Sequence, residues 1–274
     1  MKDLESIKIG GVPEHFNLPW HLAMEDGAFE KIGIKINWED QHGGTGEMTR
    51  ALDSGGLDIA ILLTEGITKS ILQGLQAKIL QVYVTTPLRW GIHVPFHSAI
   101  NSFDDLENKT FAISRFGSGS HLMTYVKADQ ANWSLDKLKF HVVKNLEGGL
   151  TSLEENVCQG FLWEKYTTHP YTVTERCRYI DEVVTPWPCF TIAASDRCIK
   201  EHGASIKKVL EIVNQYASQL KNNPDAISLI SERYKIPTDK IESWFAATDW
   251  NYEGNMDQDD FSKTIDYLKK LIIL

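Results

Sequence analysis

Two short runs of small residues have the composition of anion-binding helix starts. The first follows a strand-like run and contains Gly43, Gly44, Thr45 and Gly46. The second also follows a strand-like run and contains Ser118, Gly119, Ser120 and His121. A helix N-terminus carries roughly half a positive charge and presents unpaired N–H groups, so it suits a carboxylate, sulfonate or phosphate. Glycine-rich turns without a ligand are commoner, and we expect a binding site because the pattern occurs twice.

Both runs are predicted to begin helices. Thr45 is the expected N-cap of a helix over 48–53, and Ser118 and Ser120 are suitable caps for a helix over 122–130. Side chains that follow other strands are further candidates, namely Glu14, His15, Phe16, Thr64 and Glu65. His15 could equally be solvated in a surface loop. Thr64 and Glu65 could equally be a helix cap and a carboxylate that interacts favourably with the helix dipole.

Composition limits the class of protein. The 274 residues include 28 basic and 37 acidic side chains, and the net charge of −9 argues against nucleic acid or an anionic membrane as the main partner. No run reaches the about 18 consecutive apolar residues of a membrane-spanning helix. The four cysteines show no CxxC spacing, so we expect unpaired thiols. Because a predicted strand begins near Ile7 without a preceding signal sequence, we expect a cytoplasmic protein, or an exported one if the natural chain begins before this sequence.

Strand-like and helix-like segments alternate along most of the chain. Residues 7–11, 34–38, 57–63 and 78–85 are predicted strands with helices between them, and 57–63 is apolar enough to be buried on both faces. Such an order predicts mainly parallel sheets, whose ligands bind at the carboxyl ends of the strands. The pattern is interrupted near 86–91, and a second alternating series follows to about 194. Four helices are predicted after 195, the last over 258–271.

The order of these segments resembles the type II periplasmic-binding-protein fold. The closest branch contains nitrate, sulfonate and taurine binders and the pyrimidine-precursor synthase of fungal thiamine biosynthesis. The resemblance covers nearly the whole chain and depends on motifs at 7–10, 25–34, 51–60, 103–110, 117–120 and 161–167. Without an export signal, the chain is similar to a cytosolic relative of this branch, such as those of fungi.

The resemblance implies two α/β lobes that close on a ligand. It implies a first lobe of residues 1–88 plus 189–274 and a second of 89–188, with crossings near Pro87 and within 185–190. The two helix starts would then face one cleft. At corresponding family positions Thr64 and Glu65 would face it too, and Trp163 with Glu164 would offer a stacking surface. Trp187, between two prolines, belongs to the second crossing and is a further candidate contact.

The leading hypothesis is a monomeric, non-catalytic binding protein for a small anionic or heteroaromatic ligand, similar to the substrate-binding components of ABC transporters. Arg89 or Arg115 could pair with the anion. One alternative is an enzyme related to thiamine-precursor synthesis that uses pyridoxal phosphate, but the family's cysteine-rich run is reduced here to Cys189. A second alternative is a scaffold that binds a protein partner. We expect no metal and, under the leading hypothesis, no cofactor.

Overall fold

The computed structural model describes residues 4–254, 262 and 265–270. The chain forms two compact units, one of residues 1–86 and 187–262 and the other of 87–186 and 263–274. The chain therefore passes between the units at 86/87 and 186/187, next to Pro87 and Pro186, and a third time at 262/263. The sequence analysis assigned 89–188 to the middle lobe and all of 189–274 to the other, so the C-terminal segment is grouped differently here.

The first unit contains a five-stranded sheet. Its strands are β1 Glu5–Gly11, β2 Ile34–Asp40, β3 Ile59–Leu63, β4 Ala77–Val84 and, later in the chain, β10 Phe190–Ser195. Their order across the sheet is β2-β1-β3-β10-β4. Around the sheet lie α1 Leu18–Glu25, α2 Thr45–Ser54, α3 Thr64–Leu72, α7 Asp196–Lys221, α8 Ala226–Tyr234 and α9 Thr238–Ala246.

The second unit contains another five-stranded sheet. Its strands are β5 Arg89–Val94, β6 Thr110–Ile113, β7 Lys139–Val142, β8 Gly160–Glu164 and β9 Arg178–Val184. Their order is β7-β6-β8-β5-β9. The helices of this unit are α4 Gly119–Gln130, α5 Leu146–Glu154 and α6 Lys165–Val173. Residues 265–270 are also helical and belong to this unit.

Each sheet combines parallel and antiparallel pairs. In the first, β1 is parallel to β2 and β3, while β10 runs antiparallel between β3 and β4. In the second, β6 is parallel to β7 and β8, while β5 is antiparallel to β8 and β9. The strands β1 to β3 and β6 to β8, each followed by a helix, are thus parallel as predicted, and their carboxyl ends lie at one edge of each sheet. β10 is also followed by a helix, α7, but it runs antiparallel.

Each unit has its own apolar core. In the first, Leu57 and the β3 residues Ala60 and Leu62 pack with Met48 and Leu52 of α2. In the second, Phe161 of β8 packs against Leu150 and Leu153 of α5, and Gly149 permits this approach because a Cβ there would lie 2.3 Å from the Phe161 ring. All four cysteines are buried free thiols, as predicted.

The C-terminal helical residues pack on α4. The Tyr267 hydroxyl lies 3.2 Å from Asp129 Oδ2, and Lys270 Nζ lies 2.9 Å from both carboxylate oxygens of Asp129. These contacts explain why 265–270 belong to the second unit. The rest of the helix predicted over 258–271 falls outside the described residues, apart from Ser262. No helix in the described part of the chain is both long and apolar enough to cross a membrane.

Candidate functional site

The start of α2 differs from the prediction. The helix begins at Thr45, and its N-cap is Gly44, whose φ of 65° lies in the left-handed region that favours glycine. Thr45 is therefore the first helical residue, and its assignment as the N-cap is wrong. The Gly43 N–H donates to Oε2 of Glu47 at 2.6 Å. The chain thus places its own carboxylate at this helix start. Gly43 and Gly46 belong to a turn in which Glu47 already supplies the negative charge that the helix dipole favours.

The Thr45 side chain joins α2 to the next helix start. Its hydroxyl accepts a hydrogen bond from the Leu63 N–H at 3.3 Å, and its methyl group packs on Gly66 of α3. A Cβ at position 66 would lie 2.2 Å from Thr45 Cγ2, so only glycine permits this approach. The parallel strands thus bring the two starts together at one edge of the first unit's sheet, with Thr45 as a packing residue between them.

The start of α3 is hydrogen-bonded to the chain segment that returns from the second unit. The Thr64 hydroxyl donates to the Pro188 carbonyl at 2.6 Å, and its N–H donates to the Cys189 carbonyl at 3.1 Å. The Trp187 indole N–H donates to Oε2 of Glu65 at 2.9 Å. We call these three bonds the crossing clamp. The predicted candidates Thr64, Glu65 and Trp187 come together, and they bind each other and the returning segment.

Glu65 is an unusual carboxyl group. It is 3 % exposed, and among the described residues its Oε1 has no hydrogen-bond partner. Burial raises the pKa of Glu65 to about 7, and the hydrogen bonds from its own backbone N–H and from Trp187 oppose this shift only in part. The group can therefore exchange a proton near neutral pH, although it lies inside the first unit.

The loop after β1 is packed into the first unit. The ring of His15 contacts Trp244 at a centroid distance of 4.0 Å, and burial lowers the pKa of His15 to about 4. Phe16 is buried and stacks on Phe190 at 3.9 Å. Glu14 is exposed. His15 is therefore a neutral, packed side chain near pH 7, and Phe16 belongs to the core. A ligand contact for these three residues stays a prediction.

The start of α4 agrees with the sequence prediction for Ser118, but the helix begins at Gly119, so Ser120 is its second residue and its assignment as a cap is wrong. Ser118 is the N-cap, and its hydroxyl accepts from the His121 N–H at 3.4 Å. The Ser120 hydroxyl lies 3.0 Å from that of Ser118 and accepts from the Ser114 N–H at 3.0 Å. Both serines are buried. The first turn contains no acidic residue, and the N–H groups at its first two positions have no partner within a helix.

Trp90 of β5 lies against this helix start. Its Cη2 would be 2.4 Å and its Cζ2 2.7 Å from a Cβ at position 119, so the indole occupies the space that Gly119 leaves. The indole Nε1 is two covalent bonds from Cζ2. Trp90 is 6 % exposed, and its N–H has no acceptor among the described residues. A buried N–H without an acceptor costs about 1–3 kcal/mol, which an acceptor on a ligand could recover.

The remaining candidates of the second unit have local partners. Glu164 caps α6, because its carboxylate accepts from the N–H groups of Tyr166 at 3.1 Å and Thr167 at 2.7 Å. Burial raises the pKa of Glu164, and these bonds oppose the shift. Trp163 is half-buried and contacts Phe161 at a ring distance of 5.4 Å. Arg89 pairs with Glu182 on the neighbouring strand. A stacking role for Trp163 stays a prediction.

The sequence analysis did not identify Trp90 as a candidate. Trp90 lies in the stretch where the alternation of strands and helices is interrupted. β5 begins within this stretch and lies between β8 and β9 in the sheet. The alternating apolar residues of 90–94 were the available signal. Among the described residues, no group of three His, Cys, Asp or Glu side chains could hold a metal ion.

Comparisons with known proteins place these features in a common fold. The sequence model of the Ca3427-like PBP family matches residues 90–183. A Candida albicans protein, the CA3427 gene product, is described as defining a new family with the generic periplasmic binding protein fold. It is 27 % identical, with a TM-score of 0.90 over 99 % of this chain and 91 % of that one.

Bacterial binding proteins have similar structures at lower identity. The alkanesulfonate-binding protein SsuA of Xanthomonas axonopodis pv. citri, solved with MOPS bound, is 15 % identical, with a TM-score of 0.79 over 100 % of this chain and 96 % of that one. The aliphatic sulphonate binding protein SsuA of Escherichia coli is 17 % identical, with a TM-score of 0.76 over 98 % and 93 %. No curated protein sequence matches significantly. The chain has the two-lobed type II periplasmic-binding-protein fold, which confirms the predicted fold.

Proposed function

We propose that this chain binds a small organic anion at the start of α4 and does not change it chemically. The observation that carries the proposal is Trp90, whose indole ring lies beside Gly119 and whose buried N–H lacks an acceptor among the described residues. The helix start adds the N–H groups of Gly119 and Ser120 and the positive end of the helix dipole. We expect the oxygens of one anionic group to share these donors.

The electrostatics of the second unit favour an anion at this position over a cation. Neutral hydroxyl groups cap α4, and its first turn has no carboxylate that would repel a negative charge. The sulfonate binders with the same fold support a sulfonate as the first probe, because MOPS is present in one of them. A sulfonate has three acceptor oxygens and remains ionised across the working pH range.

The proposal is tested by titrating the full chain with MOPS in a sulfonate-free buffer. We expect calorimetry to detect binding and the protein to melt at a higher temperature with MOPS present. Trp90→Phe keeps an aromatic ring and removes the N–H. Because a hydrogen bond to a charged group is worth about 1.5–3 kcal/mol, the variant should bind MOPS about ten- to a hundredfold more weakly.

Trp133→Phe is the matched control, because Trp133 belongs to the same unit and stacks on Phe103 at 4.3 Å, away from the α4 start. It should leave MOPS affinity unchanged. Equal affinity in wild type and folded Trp90→Phe would contradict the role of Trp90, and no binding of any sulfonate by wild type would contradict the proposal. Mass spectrometry of recovered ligand tests the absence of catalysis. A product that accumulates with protein concentration would favour the enzyme alternative.

A further inference from the structure

A tight turn places an aromatic ring immediately before the α4 start. The Ser118 N–H donates to the Arg115 carbonyl at 3.1 Å, which closes a turn with Phe116 and Gly117 in the centre. Gly117 has a φ of 75°, the left-handed value that a type II turn requires at its second central residue. The Gly117 N–H also donates to Nδ1 of His121 at 3.1 Å. The turn is therefore fixed to the first turn of α4.

The side chain at this turn is held on one side and open on the other. Phe116 is 67 % exposed, yet its ring makes edge-to-face contacts with His121 at 5.3 Å and with Phe140 at 6.4 Å. His121 in turn contacts Phe140 at 4.6 Å and Tyr125 at 5.0 Å. This packing limits the positions of the ring, so little conformational entropy is lost when another apolar group covers it.

We infer that Phe116 packs against an apolar or aromatic part of the ligand whose anionic group binds at the α4 start. The inference rests on the proposed function and names the ligand class as an organic anion with a bulky apolar group, such as an arylsulfonate. Only Gly117 and the cap Ser118 separate Phe116 from the first helical residue. Consecutive Cα atoms are about 3.8 Å apart, so one small molecule can reach both the ring and the helix start.

The geometry of this turn also indicates selectivity among anions. A small anion such as methanesulfonate can use the helix N–H groups but covers little of the Phe116 ring. Benzenesulfonate presents the same three oxygens and adds a ring for an aromatic contact. Burial of apolar area favours the larger anion, and partial coverage of one aromatic ring is expected to give about tenfold tighter binding.

The test compares benzenesulfonate and methanesulfonate by calorimetry on the full chain. Wild type should bind benzenesulfonate about tenfold more tightly. Phe116→Ala should remove most of this preference by weakening benzenesulfonate alone, and Phe116→Tyr should keep it. Val173→Ala is the matched control, because Val173 is also 67 % exposed and lies at the end of α6 in the same unit. It should change neither affinity.

The outcomes separate this inference from the function on which it rests. If both sulfonates bind and Phe116→Ala keeps the wild-type preference, this inference alone is overturned. It is also overturned if Phe116→Ala weakens both sulfonates equally, since the ring would then only position the turn. If wild type binds neither sulfonate, the proposed function fails and the inference fails with it. Unchanged melting temperatures of the unliganded variants establish that all of them are folded.

Discussion

The starts of α2 and α4 have similar sequences and different electrostatics. At α2, Glu47 accepts a hydrogen bond from the Gly43 N–H at 2.6 Å and brings a carboxylate to the helix start. At α4, the cap is the Ser118 hydroxyl and the first turn has no acidic residue. A second negative charge is repelled at the first start and attracted at the second. Small residues thus identify a helix start, and the nearest carboxylate decides what it can bind.

The start of α3 shows a third use of the same local geometry. Thr64 and Glu65 bind the returning segment through the crossing clamp. Here one helix N–H and two side-chain groups are bound by a distant part of the same chain, 122 residues from Glu65 in the case of Trp187. The first unit therefore uses the starts of α2 and α3 for internal contacts, whereas at the α4 start of the second unit we expect a ligand to bind.

The largest expected effect concerns the buried acid at the α3 start. Because burial raises the pKa of Glu65 from 4.5 to about 7, the folded chain binds its proton more tightly than the unfolded chain. This contribution to stability is complete below pH 4.5 and is lost as the pH rises through 7. Each pKa unit corresponds to about 1.4 kcal/mol, so Glu65 should lower the free energy of unfolding by about 3 kcal/mol between pH 4.5 and 8.

Urea unfolding of wild type and Glu65→Gln at a series of pH values measures this difference. Gln keeps an oxygen for the Trp187 N–H and cannot ionise. Burial lowers the pKa of both His15 and His93 to about 4, which destabilises either protein as the pH falls and cancels in the comparison. Glu47→Gln, at the α2 start, is the control. Parallel pH profiles for wild type and Glu65→Gln would contradict the prediction.

An intermediate effect is expected from adding one methyl group at each of the two compared starts. At position 119 the new Cβ would lie 2.4 Å from the buried Trp90 ring, and such overpacking costs about 1–3 kcal/mol. At position 43 the nearest atom is Glu47 Oε2 at 2.7 Å, the end of a flexible side chain. Gly119→Ala should therefore unfold at clearly lower urea concentration than Gly43→Ala. Equal midpoints would show that the two starts are equally tolerant.

The smallest expected effect separates packing from binding at Thr45. Thr45→Val removes the hydroxyl that accepts from the Leu63 N–H, and a neutral hydrogen bond contributes about 1 kcal/mol to stability. Thr45→Ser keeps the hydroxyl and serves as the control for the valine variant. We expect sulfonate affinity to stay the same in both. If a folded Thr45→Val binds MOPS more weakly, then the α2 start also contacts the ligand, and the contrast between the two units disappears.

Much of the fold could be predicted because its signals are local. The apolar run of β3 and the helix starts at Ser118 and Thr64 follow from composition and short spacing. Two elements of the second unit were not predicted. β5 follows a proline-containing interruption, and α6 contains Pro170, which weakens any helical signal. The antiparallel position of β10 depends on pairing with strands far away in sequence. The spacing of apolar residues along the chain does not indicate such pairing.

The site was less predictable because its decisive contacts are not local. Ser118 was assigned correctly as a cap, since capping depends on residues within one turn. The assignment of Thr45 failed because Gly44, with a φ of 65°, is the N-cap, and the Thr45 hydroxyl instead accepts from the Leu63 N–H, 18 residues away. The position of the Trp90 ring depends on Gly119, which belongs to a different element. No short pattern contains either relation, so residue types at a strand end identify candidates without deciding their roles.

The position of β10 between β3 and β4 has a consequence for the order in which the protein is made. β10 lies between β3 and β4, so β4 joins the first sheet only through a strand that is synthesised after all of residues 87–186. The five strands of the second sheet come from one continuous stretch. On the ribosome, the second sheet can therefore be completed first. During that time the edges of β3 and β4 that pair with β10 remain unpaired. Until β10 emerges, we expect these unpaired edges to be open to mispairing.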